Sequence, residues 1–223
     1  RFRSVAQSLA TIAGQLSRAL NAIAARPNVK ISCDTITWSP GPANDSAWYS
    51  SSAAWNSVLQ DWRGWMEEGI LDLNLPMAYF NQAGSYTLAW TNWCNFTRDH
   101  RFNRHAAINV GTYLNSATDA FIQLRYTRQA SPAGNYADGV CSYDYGTPPS
   151  GLTRAAYISA LVNTSAYDPI TPPIFSDVVA PKPIPWKTAP TKGHLKGVVY
   201  GGNPTNALDG AVVRLTGPVT RAQ

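Results

Sequence analysis

A regular alternation between apolar, strand-like runs and amphipathic helical segments constrains the fold most. Four apolar runs begin near residues 30, 71, 106 and 139, and intervals of roughly 33 to 41 residues each fit one strand–helix unit. Near-continuous apolar strands separated by helices are typical of a parallel sheet with helices on its faces. The predicted strands are 29–38, 70–79, 105–113 and 139–145, and the predicted helices are 4–24, 52–68, 85–99, 116–129 and 152–162.

The number of strands predicts half of a closed barrel. A complete (β/α)8 barrel takes about 250 residues, whereas residues 1–165 supply four strands and their helices. We therefore predict an α/β fold that corresponds to half of a (β/α)8 TIM barrel. The alternative is an open doubly wound sheet, but no Gly-rich phosphate loop follows any predicted strand. The chain starts at Arg1 and not at Met, so we expect it to be part of a longer protein.

The composition changes after the predicted half-barrel. Residues 166–192 are proline-rich and predict an extended linker with polyproline character. Two β-type runs follow at 194–200 and 211–216, on either side of a Gly-Gly-Asn-Pro turn. Residues 193–223 therefore predict the start of a small β-sandwich that is incomplete within this sequence.

The composition also limits the class of partner. Charged residues make up only 14% of the chain against 11% aromatic residues, a balance that suits neutral, hydrogen-bonding ligands such as sugars. The net charge of +5 is scattered, so we expect no nucleic acid partner. No apolar run reaches the roughly 18 residues of a membrane span. The three cysteines lack metal-ligand spacing, and we expect neither a metal nor a cofactor.

Candidate ligand-binding residues follow the predicted strands, because barrel active sites lie at the carboxyl ends of the strands. These positions are rich in aromatic and amide side chains, as a sugar subsite requires. The alternative is that the tyrosines only close the top of the barrel. Four tryptophans at helical spacings are assigned to the core: Trp62, Trp65, Trp90 and Trp93. The candidate substrate-binding residues are Trp38, Tyr79, Tyr113, Asn115, Tyr143 and Tyr145.

Candidate catalytic residues are carboxylates, because glycoside hydrolysis usually needs a pair of them. Asp34 lies inside an apolar strand, where an unpartnered carboxylate is costly. Its alternative role is in a polar core network with groups such as Asn74 and Asn109. Asp144 lies at the exit of the fourth strand, and its alternative role is to anchor a loop. Asp72, at the start of its strand, is assigned to the stability face of the barrel.

Several segments resemble the glycosyl-hydrolase-like family 10 proteins. Residues 61–72 (DWRGWMEEGILD), which continue into 75–80 (LPMAYF), are similar to a helix-to-strand segment of that family. Residues 110–115 and 139–145 are similar to its last two strands. The resemblance covers residues 1–165, and residues from 193 onward more weakly resemble a carboxypeptidase-regulatory-like β-sandwich. It implies a (β/α)8 glycosidase whose acidic fourth-strand motif would lie before Arg1, so that this chain would supply strands 5–8, the C-terminal half of the TIM barrel.

The resemblance implies a secreted or envelope-associated hydrolase of O-glycosidic bonds that acts on a poly- or oligosaccharide. Asp144 and Asp34 would be its carboxylates within this sequence, and the half-barrel alone should be inactive. The alternative is a non-catalytic carbohydrate-binding or cell-surface protein on a degenerate barrel, which would keep the aromatic rings but not the acids. A third possibility is a barrel that only spaces other domains.

Overall fold

The computed structural model describes residues 18, 25–26, 29–84, 86–191, 198–203 and 208. Its centre is a sheet of four parallel strands in the order β1-β2-β3-β4. A doubly wound sheet reverses its strand order at a switch point, and these four strands do not. The α/β prediction with a parallel sheet is confirmed, although β1 is shorter than predicted. The strands are β1 (Ser32–Thr35), β2 (Leu73–Ala78), β3 (His105–Gly111) and β4 (Gly139–Tyr143).

Helices connect the strands, and short polar side chains begin several of them. The side chains of Asn44, Asp61, Ser116 and Thr153 each accept a hydrogen bond from a first-turn amide, which satisfies a donor that the helix leaves unpaired. A 3-10 turn at Thr112–Leu114 follows β3. The helices are α1 (Asp45–Ser51), α2 (Ala53–Asn56), α3 (Trp62–Glu67), α4 (Tyr86–Asp99), α5 (Ala117–Tyr126), α6 (Arg154–Val162) and α7 (Pro185–Thr188).

The helix predicted over 52–68 is wrong as a single element, because it is broken between α2 and α3. Leu59 adopts a positive φ of 58° there, a conformation that a helix interior does not contain. The turn lets the Gln60 side chain accept a hydrogen bond from the Ile36 amide. Asp61 then starts α3 by accepting from the Gly64 amide. A long-range contact and a new N-cap therefore override the continuous periodicity.

Helices cover one face of the sheet. In β2, Asn74, Pro76 and Ala78 are buried, whereas the alternate residues are only half-buried. One core cluster joins Ala78, Ile108 and Val110 of the strands to α4, α5 and α6. A second cluster, built on indole rings, joins α1 and α3 to α4. It includes Trp48, Trp62, Trp93 and Phe96, and Trp62 lies 4.7 Å from Trp48 between ring centroids.

The tryptophan prediction agrees with this core. Trp62, Trp90 and Trp93 are buried, and Trp65 is partly buried against the second cluster. Their helical spacing therefore marks a face directed at the core, as expected for amphipathic helices. Among the described residues, no helix is long and apolar enough to cross a membrane.

The proline-rich stretch packs against the sheet instead of extending away from it. Ile174 is buried in the first core cluster, and buried Asp168 accepts two hydrogen bonds of 2.7 Å from Arg125. At its end, the Trp186 indole donates to Asp72 at 2.6 Å. Residues 175–183 between these contacts are exposed, so the segment is held at particular side chains and not along its whole length. The predicted helix 4–24 and the runs 194–200 and 211–216 lie largely outside the described residues.

Candidate functional site

Three predicted substrate-binding residues come together at the carboxyl edge of the sheet. Tyr79 follows β2, Tyr113 lies in the 3-10 turn after β3, and Tyr143 ends β4. Their ring centroids are 5.2 Å apart for Tyr79 and Tyr143, 5.9 Å for Tyr113 and Tyr143, and 6.4 Å for Tyr79 and Tyr113. Tyr113 and Tyr143 are both exposed on this edge. We call these three residues the tyrosine cluster.

Gly111 is the reason that two of these rings can meet across an intervening strand. It pairs in register with Tyr143 and lies beside Tyr79. A Cβ atom at Gly111 would stand 3.0 Å from the Tyr79 Cβ and 3.1 Å from its Cα. A side chain on β3 at this position would therefore separate the Tyr79 and Tyr143 rings, so the glycine shapes the cluster.

A hydrogen bond from Asn109 holds the Tyr79 side chain in place. Its Nδ2 donates to the Tyr79 hydroxyl at 3.0 Å, and the Asn109 side chain is buried. Its Oδ1 is buried too and accepts no hydrogen bond from the described residues. Burial and, to a smaller extent, the negative charge of Asp34 raise the pKa of Tyr79 to about 12. Tyr79 therefore stays protonated at neutral pH and keeps a hydroxyl proton to donate.

Asp34 is exposed on the sheet face opposite the helices, in register with half-buried Leu75. Its carboxylate accepts no hydrogen bond from the part of the chain that the structure describes. The charge of Asp34 adds to burial in raising the pKa values of the Cys33 and Cys141 thiols. Because the same charge acts on Tyr79, Asp34 lies within electrostatic reach of the tyrosine cluster.

The alternative role suggested for Asp34, a polar core network, is not what these contacts form. Asn74 lies on the helix-covered face and accepts a hydrogen bond from Thr35 at 2.7 Å. Asn109 bonds to Tyr79 instead. Among the described residues, neither amide donates a hydrogen bond to the exposed Asp34 carboxylate.

Asp144 takes the loop-anchoring role that the sequence left open. Its Oδ1 accepts a hydrogen bond of 2.5 Å from the Thr147 amide, an Asx-type turn in which a carboxylate bonds a nearby backbone N–H. The peptide bond between Tyr143 and Asp144 is cis. The Asp144 carboxylate is thus committed to the loop after β4.

The remaining predicted site residues lie around the cluster in other environments. Asn115 is buried, and its Nδ2 donates to the carbonyls of Phe80 and Gly111, while its Oδ1 accepts from the Gln82 amide. It therefore braces two loops and is not available to bind a hydroxyl group from outside.

Trp38 and Tyr145 are exposed at the edge of the site. Trp38 is 57% exposed and Tyr145 is 69% exposed. The guanidinium of Arg154 lies 4.6 Å from the centre of the Tyr145 ring and donates to the Tyr145 carbonyl at 3.0 Å. Tyr145 thus has a structural partner, whereas Trp38 presents a free face beside the end of β1.

Sequence reasoning did not assign Asn109 to the site. The signal that could have found it is the two-residue period of a strand, since Met77, Asn109 and Cys141 pair in register on the face opposite the helices. Among the residues that the structure describes, no three His, Cys, Asp or Glu side chains are grouped to hold a metal ion.

A comparison of the chain with protein-family models, with curated proteins and with solved structures finds no match in any of the three. The case for a function therefore depends on the residues and their geometry.

Proposed function

We propose that this chain is the sugar-binding half of a glycoside hydrolase-like (β/α)8 barrel. The observation that carries the proposal is the tyrosine cluster, next to the exposed carboxylate of Asp34, at the carboxyl edge of a parallel sheet. Aromatic faces cover the apolar faces of sugar rings, and nearby polar groups orient the hydroxyls. The proposal agrees with the expectation from the segments that resemble the glycosyl-hydrolase-like family 10 proteins, although no family model matches the chain.

The exposed sheet face supports a barrel. The four strands follow one another without reversal, and within the described ranges β1 and β4 each have one unpaired edge. Parallel sheets normally have both faces covered, yet the face opposite the helices carries exposed Asp34 and half-buried Leu75 and Met77. Closure with four further strands would cover this face and remove both edges.

Sugar binding is tested by isothermal titration calorimetry of the full chain with a panel of neutral and charged oligosaccharides. Tyr143→Ala should weaken binding about two- to tenfold, the value of one aromatic contact. Tyr136→Ala is the matched control, because Tyr136 is also an exposed tyrosine but lies outside the cluster. Equal binding by wild type and Tyr143→Ala, or no binding of any sugar, would contradict the proposal.

Hydrolysis requires a second carboxylate at about 5 to 10 Å from the first. We propose Asp34 as one member of the pair and expect the other from the complementary strands. Asp34→Asn should then abolish the release of reducing ends in the closed barrel while it preserves the binding of neutral sugars.

A non-catalytic carbohydrate-binding protein is the second candidate, and the Asp144 turn favours it. The Asp144 Oδ1 is held by the Thr147 amide, so among the described residues Asp34 is the carboxylate beside the tyrosine cluster with no hydrogen-bond partner. Sugar binding without turnover, even when the chain is supplied together with the complementary half-barrel, would decide for this candidate.

A further inference from the structure

The charges around the tyrosine cluster restrict the class of sugar that it can take. Charged groups on this side of the described structure include the carboxylates of Asp34 and Asp144 and the guanidinium of Arg154. Asp144 accepts a hydrogen bond from the Thr147 amide, and Arg154 lies over the Tyr145 ring. These three groups sum to one negative charge, and neither carboxylate forms an ion pair within the described residues.

Most other cations of the described structure have partners away from the cluster. Five of them form ion pairs on the helical layer or at the amino ends of the strands, with nitrogen–oxygen distances of 2.6 to 2.9 Å. These pairs are Arg63 with Asp45 and Glu67, Arg101 and Lys182 with Asp138, Arg125 with Asp168, and Lys187 with Asp72. Arg98 and Arg128 donate to backbone carbonyls, Arg104 lies over the Trp186 ring, and Lys30 is bonded to His105. An anionic sugar such as a uronic acid would therefore meet a site whose net charge is negative.

Two acceptors at the cluster also have no donor among the described residues. The Asp34 carboxylate accepts no hydrogen bond from the described residues, and the buried Oδ1 of Asn109 is an unpaired acceptor beside Tyr79. An acceptor that is buried without a donor leaves a local negative potential. The faces of the three tyrosine rings attract cations as well, because the π-system of each ring is negative on its face.

We propose that the site binds a sugar that carries a protonated amine, a hexosamine unit whose ammonium group lies against Asp34 and a tyrosine face. This inference rests on the proposed function and names its substrate class. An ammonium group has three donors and no acceptor, which complements a carboxylate and aromatic faces. An acetylated amine is neutral and bulkier, and an uncharged hydroxyl gains less from the negative charge.

The test measures binding of three tetrasaccharides to the full chain by calorimetry at about pH 6, where the sugar amine carries its proton. The probes are fully deacetylated chitotetraose, its N-acetylated form and cellotetraose, which has hydroxyl groups in place of the amines. We expect the amine form to bind roughly tenfold more tightly than cellotetraose, as a charge-assisted hydrogen bond would give. Added salt should reduce this preference, because the site is open to solvent.

Asp34→Asn should bind the amine form and cellotetraose equally, whereas Asp177→Asn should keep the preference. Asp177 is an exposed carboxylate that bonds to Ser176, so its removal matches the change in net charge. If wild type binds cellotetraose as tightly as the amine form, the inference is overturned and the proposed function stands. The inference is also overturned if Asp177→Asn loses the preference as Asp34→Asn does. Failure of all three sugars to bind overturns both.

Discussion

The substitution Asp72→Asn tests how the proline-rich segment is held on the sheet. The Asp72 carboxylate accepts hydrogen bonds from the Ile31 amide at 2.7 Å and from the Trp186 indole at 2.6 Å. It also forms an ion pair of 2.9 Å with Lys187, and the two side chains are 1% and 6% exposed. Asparagine keeps the size of the side chain but removes the charge and one acceptor atom.

The expected loss is large, because the substitution leaves a buried ammonium group without its counter-charge. Removal of one partner from a buried ion pair costs about 3 to 5 kcal/mol. For a chain of this size, each kcal/mol lowers the melting temperature by about 2 to 4 °C, so we expect a fall of about 6 to 20 °C. An exposed ion pair would contribute less than about 1 kcal/mol, so the measured loss of stability distinguishes a buried pair from an exposed one.

Urea unfolding of four proteins measures this effect: wild type, Asp72→Asn, Lys187→Met and the double variant. The double variant should be more stable than the sum of the two single losses predicts, because it removes both charges together. A loss below about 1 kcal/mol for Asp72→Asn, or strictly additive losses, would refute the argument that this contact is buried and coupled.

Three further predictions concern the tyrosine cluster and an acidic group on the sheet. Gly111→Ala should destabilise the chain by about 1 to 3 kcal/mol in urea unfolding, because the new Cβ meets the Tyr79 backbone at 3.1 Å; Gly139→Ala, with 3.7 Å to its nearest neighbour, should cost less. Asp34→Asn should lower the pKa of Tyr79 from about 12, since loss of a negative charge favours the tyrosinate; an unchanged absorbance titration, with Tyr79→Phe as reference, would contradict this. Burial raises the pKa of Asp138, but hydrogen bonds from Lys182, a backbone amide and Arg101 outweigh it and lower the net value. The stability that Asp138 adds is therefore complete above about pH 4 and is lost as the pH falls through its folded pKa, so the unfolding free energy of Asp138→Asn should depend less on pH there.

Local patterns were enough to predict the elements of the sheet. The two-residue and 3.6-residue periods record which side of each element is buried, and they located β2, β3, β4, α4 and α6 in the chain. The N-cap at Ser116 is also local, because its side chain accepts from the amide three residues further on. The consecutive strand order follows from short connections, which bring neighbouring strand–helix units together.

The composition of the site depended on tertiary packing. Tyr79, Tyr113 and Asn115 follow two neighbouring strands and look equivalent in the sequence, yet Asn115 is buried and bonded to the loops while the tyrosines meet. The difference comes from Gly111 and from the carbonyls that surround the Asn115 amide. None of these partners appears in a local pattern.

The sequence alone determined most of the strands and the longer helices, because that choice depends largely on neighbours a few residues away. The predicted helix 52–68 is the exception, since a long-range contact of Gln60 divides it. Tertiary structure decided that the proline-rich segment would return to the sheet, where Trp186 meets Asp72 across 114 residues of chain. It also decided that Asp144 would hold a turn and that Asp34 would stay free beside the tyrosines. These outcomes follow from burial, charge pairing and close approach between distant segments, which act only after the chain has folded.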